Sequence, residues 1–143
     1  SLSANVATLA HKNIEVEDVA TATLKFKNGA LGVIEGTTSV TPANPGRLEI
    51  HGTKGTIILE EDKITKWVIE GDEEQVDTKG GAEGKAGPGA LALEGHAAEI
   101  AHVLEVVQKG GKPAVDGEAA RNAVEIILAI YESARTGKAV ILG

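Results

Sequence analysis

Four histidines (His11, His51, His96 and His102) and 21 Asp and Glu residues are the groups with which this 143-residue chain could hold a metal or move a proton. His96, Glu99 and His102 stand three apart, but on a helix the outer two point about 240° apart, so one ion cannot take all three. Glu99 with His102 supplies at most half a site, and the expectation is solvated helix residues and no metal. Glu60, Glu61, Asp62, Glu70, Asp72, Glu73 and Glu74 cluster at strand ends. They lack the D-x-D-x-D-G spacing that wraps calcium and read as a solvated rim. Ser133, in Tyr-Glu-Ser-Ala-Arg-Thr-Gly, has no His or Asp placed by any recognisable motif to activate it, so a helix-surface or packing role is expected. Neither Gly84-Lys85 nor Gly111-Lys112 has the upstream glycine of a phosphate loop, and no G-x-G-x-x-G occurs. With no cysteine, a thiol nucleophile, thiolate zinc site or disulfide is excluded. Local spacing therefore points to no catalytic constellation.

The elements that would position these groups are legible. From Val16 to Glu70 the apolar period is two. Asn28-Gly29 is a strong hairpin signal between Glu17–Lys27 and Ala30–Val40, because such turns need positive φ. A two-residue loop pairs Phe26 with Leu31 and Leu24 with Val33, but brings Glu35 to the apolar face. A three-residue loop with a bulge brings Ile34 there instead, and the register stays open. Arg47–Gly52 and Gly55–Glu60 flank Thr53-Lys54, placing Leu48, Ile50, Ile57 and Leu59 on one face. Lys63–Glu70 returns after Glu61-Asp62, completing an antiparallel meander. Its other face carries Thr21, Thr23, Glu49, His51, Thr56 and Ile58 and, with a two-residue last loop, Trp67. Such a face either meets water or is an oligomer interface anchored by Trp67.

Lys79–Gly95, rich in Gly and Ala, reads as a flexible connection. Two helices follow. Ile100, Val103, Leu104 and Val107 recur at three and four in the first, which should stop at Gly110. Asp116 is the expected N-cap of the second, with Ala120, Val124, Ile127, Leu128 and Tyr131 as its apolar stripe and Gly137 as its end, after the dipole-matched Arg135. Each should run about 30 Å at 1.5 Å per residue. Ala139–Leu142 can add an edge strand. The expected fold is α+β: an open, mainly antiparallel sheet with two long helices on one face.

Length predicts a single domain, and 2% aromatic residues predict an aliphatic core. A net charge of -7 without any basic stripe argues against nucleic acid. No run approaches the roughly 20 apolar residues of a membrane span, and no basic-then-apolar leader opens the chain, so a cytoplasmic protein is expected.

Three segments carry more. Val16–Thr37 (VEDVATATLKFKNGALGVIEGT), Leu48–Glu60 (LEIHGTKGTIILE) and Val115–Leu142 (VDGEAARNAVEIILAIYESARTGKAVIL) resemble the C-terminal domain of the Gfo/Idh/MocA oxidoreductases, the family of glucose-fructose oxidoreductase and inositol dehydrogenase. The resemblance covers nearly the whole chain and is weakest from Glu70 to Leu93. It implies a dihydrodipicolinate-reductase-like C-terminal domain whose open sheet shapes a substrate pocket and mediates oligomerisation. In such enzymes an N-terminal Rossmann domain holds NAD or NADP and a sugar or polyol hydroxyl is oxidised by hydride transfer. The family's catalytic Lys lies in a Glu-Lys-Pro motif that is missing from this sequence, and its catalytic Asp and His lie before the point where the sequence begins.

The resemblance therefore implies one domain over residues 1–143 with no Rossmann domain, no cofactor of its own and no dehydrogenase activity. It implies a homo-oligomer through the open face, with Thr21, Thr23, His51, Thr56, Ile58 and Trp67 as candidate contacts. His96 resembles the family histidine near the substrate cleft. Within Gly95–Pro113 the family's Asp-Phe pair is replaced by His102-Val103 among alanines. Together with the lack of Met and Cys, this suggests redesign of an excised domain, with a natural divergent fragment as the alternative. A fragment active only when a nucleotide-binding domain is supplied is the alternative function.

Overall fold

The computed structural model describes residues 1–61, 63–71 and 93–143, with side chains from His96 onward in the last of these. The described elements are strands β1 (Leu2–Ala7), β2 (Val19–Lys25), β3 (Leu31–Thr37), β4 (Arg47–Gly52), β5 (Gly55–Glu60) and β6 (Lys63–Ile69), then helices α1 (Leu93–Lys109) and α2 (Gly117–Thr136). The fold is α+β and every strand pairing is antiparallel, as expected.

The strands form two three-stranded sheets, β1-β2-β3 and β4-β5-β6, where the period had suggested one meander. Pro42 and Pro45 lie in the connection between β3 and β4. The chain correspondingly divides into two compact units, Ser1–Val40 with Leu93–Gly143, and Thr41–Ala92.

The first unit has its core between the first sheet and α2. Leu2, Ala4 and Ala22 are buried against Ala129 and Ile130, with Val6, Ala20, Leu24, Ile34 and Ile126 packed around them. Small residues on both sides let helix and sheet approach closely. β1 is the strand the period had not revealed: Leu2, Ala4 and Val6 turn inward while Ser3 and Asn5 are exposed. Its inward residues include an alanine, which weakens the apolar signal although the alternation is regular.

The open register is resolved in favour of the longer loop. Phe26 N–H donates to the Ala30 carbonyl at 2.9 Å, and Lys25 pairs with Leu31 and Ala22 with Ile34. Gly29 takes φ 90°, and Asn28 Oδ1 accepts from Ala30 N–H at 3.0 Å. Ile34 thus joins the core and Glu35 faces out. The three-residue loop thereby keeps the charge in water.

α2 is capped as its sequence predicts. Asp116 accepts from Ala119 N–H at 2.9 Å, and Gly137, at φ 67°, donates to the Ser133 carbonyl at 2.8 Å. Its sheet-facing stripe is a different one from that expected. Ile126, Ala129, Ile130 and Ser133 turn inward, while Val124, Ile127, Leu128 and Tyr131 are 41–62% exposed. The helix carries two apolar stripes, and the one that holds Ala129 and Ile130 packs against Leu2, Ala4 and Ala22. α1 stops before Gly110 (φ 71°), but Ile100, Val103, Leu104 and Val107 are 54–75% exposed. Among the described residues, α2 on β1 is the helix–sheet contact of any extent. Ala139–Leu142 makes a single bridge, Leu2 to Val140, in place of an edge strand.

In the second unit Leu48 pairs with Leu59 and Ile50 with Ile57, as the Thr53-Lys54 turn requires. A Cβ on Gly55 would lie 2.1 Å from the Val68 carbonyl oxygen, so only glycine lets β5 begin that close to β6. Lys63 pairs with Glu60, but the register shifts between Ile58 and Leu59. The shift sends Trp67 opposite Ile57. Of the acidic rim, Asp62 and Asp72–Glu74 lie outside the described residues, as does the Lys79–Ala92 part of the expected flexible connection.

Candidate functional site

The solvent side of the first sheet holds the candidate residues Thr21 and Thr23, both exposed. Antiparallel register places Ser3 across from Thr23, and Asn5 and Glu35 across from Thr21, so one polar surface spans three strands. A shallow pocket of about 280 Å³ opens on it, lined by Ser3, Asn5, Thr21, Thr23, Val33 and Lys138 among others. Hydroxyls, one amide and one ammonium can hydrogen-bond a polar surface.

His51, Thr56 and Ile58 belong to the second sheet. His51 Nε2 lies 3.0 Å from Glu49 Oε2, and its Nδ1 lies 3.3 Å from Thr56 Oγ1. Arg47 donates to Glu49 and Glu60, each at 2.6 Å. The Arg47 guanidinium, then His51, hold the Glu49 carboxyl below the usual carboxylate range, and Glu49 in turn raises Arg47. Arg47, Glu49 and Glu60 are a third to a half exposed and His51 more so, so the network fixes geometry more than it adds stability. Ile58 lies at the centre of this surface and is only 9% exposed. Trp67 does not join it. The bulge in β6 places Trp67 on the opposite face, with Ile57 and Ile50, because one extra residue reverses the alternation of every side chain beyond it. The six candidate contacts are therefore Thr21 and Thr23 on the first sheet, His51, Thr56 and Ile58 on one face of the second, and Trp67 on that sheet's other face.

His96 is exposed on α1, its Nδ1 3.7 Å from Glu99 Oε2. His102 turns elsewhere: its Nε2 accepts from Ala114 N–H at 2.9 Å and pins the α1–α2 connection. The two histidines and Glu99 are not brought together. Ser133 is 2% exposed, accepts from Ala4 N–H at 2.9 Å and donates to the Lys138 carbonyl at 2.8 Å. Its hydroxyl is fully committed to closing the edge of β1, which agrees with a packing role.

Asp18 is the most perturbed group, and sequence reasoning passed over it. Its carboxylate is buried and accepts from the N–H groups of Leu9, Ala10 and His11 at 2.9, 2.6 and 2.8 Å. His11 Nδ1 adds a contact at 3.3 Å. The backbone donors of His11 and then Leu9 lower its pKa to about 2, against the opposing effect of burial. The chain on either side is tied in as well, since Asp18 N–H donates to Ala7 and the Asp18 carbonyl accepts from Thr38. A buried carboxylate with this many backbone donors is a structural clasp. The available signal was an acid immediately before an inward-alternating strand.

Comparison with known proteins decides the lineage. A family model described as "Oxidoreductase family, C-terminal alpha/beta domain" matches residues 2–142. The chain belongs to the Gfo/Idh/MocA oxidoreductase family, as its C-terminal domain. Two solved relatives are WlbA dehydrogenases, each crystallised with NADH and UDP-GlcNAcA. That from Chromobacterium violaceum is 29% identical with TM-score 0.74, and that from Bordetella pertussis is 27% identical with TM-score 0.71. A probable dehydrogenase from Thermotoga maritima is 26% identical with TM-score 0.68. This Gfo/Idh/MocA domain is covered over 96–99% of its length in these matches but spans only 39–41% of the relatives' chains. None of the curated proteins matches it.

Proposed function

We propose that this chain is a structural and assembly module of a sugar or polyol oxidoreductase, without catalytic activity of its own, that associates as a homo-oligomer through its open sheet faces. The observation that carries the reading is the state of its titratable groups. The strongly shifted carboxylate, Asp18, is enclosed by backbone donors, and Glu49 is held by Arg47 and His51. Hydride transfer needs a cofactor carbon held against the substrate carbon and a base for the hydroxyl proton.

The α2 N-terminus does not suit a dinucleotide. Its pyrophosphate favours a bare, glycine-rich helix N-terminus, whereas α2 starts with Asp116 and Glu118, two carboxylates where that anion would lie. NAD or NADP is assigned to the other part of the parent enzyme. Incubation with NAD+ and a polyol panel, followed at the nicotinamide absorbance, should give no turnover; measurable turnover overturns the reading.

Association through the sheet faces rests on the exposed Thr21–Thr23 surface and the His51–Thr56–Ile58 surface. The net charge of -7 gives nucleic acid no complementary field, and among the described residues no helix is long and apolar enough to cross a membrane. A cytoplasmic location fits this reading. The absence of Met and Cys and the alanines at 97, 98 and 101 support a redesigned domain.

A second reading is a fragment that becomes active when a nucleotide-binding chain is added. The relatives crystallised with NADH are more than twice as long as this chain, which favours it. Co-expression with a Rossmann domain from such a relative, assayed for restored oxidation, separates the two.

A further inference from the structure

His102 belongs to α1, yet its ring reaches past the end of that helix. The N–H of Ala114, 12 residues further on, donates to its Nε2 at 2.9 Å. Between the two the chain passes Gly110 at φ 71° and Gly111 at φ 147°, backbone states that glycine enters freely, and then Pro113, which has no N–H. Asp116 caps α2 two residues beyond Ala114. The bond thus ties α1 to the entry of α2 across the most pliable stretch of their connection. A backbone N–H can only donate, so the imidazole nitrogen facing it must offer a lone pair. His102 is then neutral, with its proton on Nδ1. Protonating the ring makes Nε2 a donor as well, and a donor facing a donor cannot hold the turn. Histidine changes charge between about pH 5 and 8, so this bond is of the kind that ordinary acidity can break.

We propose that His102 is a pH-sensitive latch that fixes the direction of α1 relative to the start of α2, closed while the imidazole is neutral and open once it is protonated. The charged groups around it are those of the two helices and their connection. Glu99 and Glu105 stand one turn to either side on α1, where Glu99 lies 3.7 Å from His96 and Glu105 is paired with Lys109 at 2.8 Å. Lys112 and Asp116 follow in the connection, with Asp116 engaged by Ala119 N–H, and Glu118 and Arg121 open α2. The closed latch excludes a proton from Nε2, so its contribution is complete above the histidine range and is lost as pH falls through it. Opening leaves the turn to Gly110 and Gly111. The core between the first sheet and α2, to which α1 adds no described residue, does not depend on the latch. Acid should therefore release α1 from the entry of α2 without unfolding the unit.

Nitrogen-15 spectra of the full chain test this without any substitution. Near the upper end of the histidine range, at about pH 7.5, His102 should be the Nδ1–H tautomer and the Ala114 amide should be protected from exchange. At about pH 5 that protection factor should fall about 2- to 10-fold, the worth of one net hydrogen bond. His102→Gln offers a carbonyl oxygen at every pH and should keep the protection at both, whereas His102→Phe keeps a ring without an acceptor and should lack it at both. His11, His51 and His96 remain in each variant, so the difference belongs to position 102. Spin labels on Gln108→Cys and Asn122→Cys, in a chain with no other cysteine, should report a helix–helix distance distribution that broadens in acid with His102 and not with His102→Gln. Any of four results overturns the latch: an Nε2–H tautomer at the higher pH, Ala114 protection in the unsubstituted chain that ignores pH, the same acid loss in His102→Gln, or protection that survives in His102→Phe.

Discussion

At the scale of single residues, two buried polar groups hold the first unit together. Asp18 gathers the donors of Leu9, Ala10 and His11, fastening the β1–β2 connection. Its folded pKa, about 2, lies below the ordinary carboxylate value. A depressed carboxylate contributes stability that is complete above the unfolded pKa and is lost as pH falls through the folded one. The urea midpoint should therefore decline between about pH 4 and pH 2, and Asp18→Asn should lower it at pH 7 while flattening that decline. Ser133 occupies the donor at Ala4 and the acceptor at Lys138. Ser133→Ala strands both, and should cost about 1–3 kcal/mol in urea denaturation. The phenol of Tyr131 donates to Glu17 at 2.7 Å, which raises its pKa because ionisation would set two anions together. That contribution is complete below the ordinary tyrosine pKa and is lost as pH rises through the folded value. Wild type should thus lose stability at high pH that Tyr131→Phe does not, as thermal melts would show.

At the scale of elements, alternation and helical period predicted where most strands and both helices lie, but not which face each would bury. β6 illustrates why: its bulge inserts one residue after Ile64, and Trp67 moves to the face of Ile57. Nothing in Lys63–Ile69 announces that insertion. β5 and β6 also meet closely at Gly55, where an added Cβ would lie 2.1 Å from the Val68 carbonyl oxygen. Gly55→Ala should overpack this contact and destabilise the second sheet by about 1–3 kcal/mol. Reading Trp67 fluorescence through a urea titration checks it. α2 shows the same ambiguity in a helix, because two stripes of apolar residues satisfy the period equally well. The sheet residues Leu2, Ala4 and Ala22 bury Ala129 and Ile130, and leave Val124 and Leu128 outside.

At the scale of the molecule, the two units differ in how much they bury. The first encloses Leu2, Ala4, Ala22, Ala129 and Ile130, whereas Ile58 alone is a buried hydrophobic of the second among its described residues. Trp67, the single tryptophan, reports on the second unit, while α1 and α2 dominate the far-ultraviolet dichroism of the first. In urea the fluorescence transition should precede the dichroism transition. Ser133→Ala should shift only the dichroism, and coincident transitions in every variant would mean that the units unfold together. Lineage was legible in the chain itself, since the ordered phrases of Val16–Thr37, Leu48–Glu60 and Val115–Leu142 reflect turns and caps that local chemistry dictates: Asn28-Gly29, Thr53-Lys54, Asp116 and Gly137. These act over a few residues, so the order of amino acids determines them. The division into two sheets, the seating of Asp18, the side of α2 that is buried and the face that Trp67 occupies all depend on contacts between segments distant in the chain. Only tertiary packing chose among the alternatives that short-range periodicity left equal.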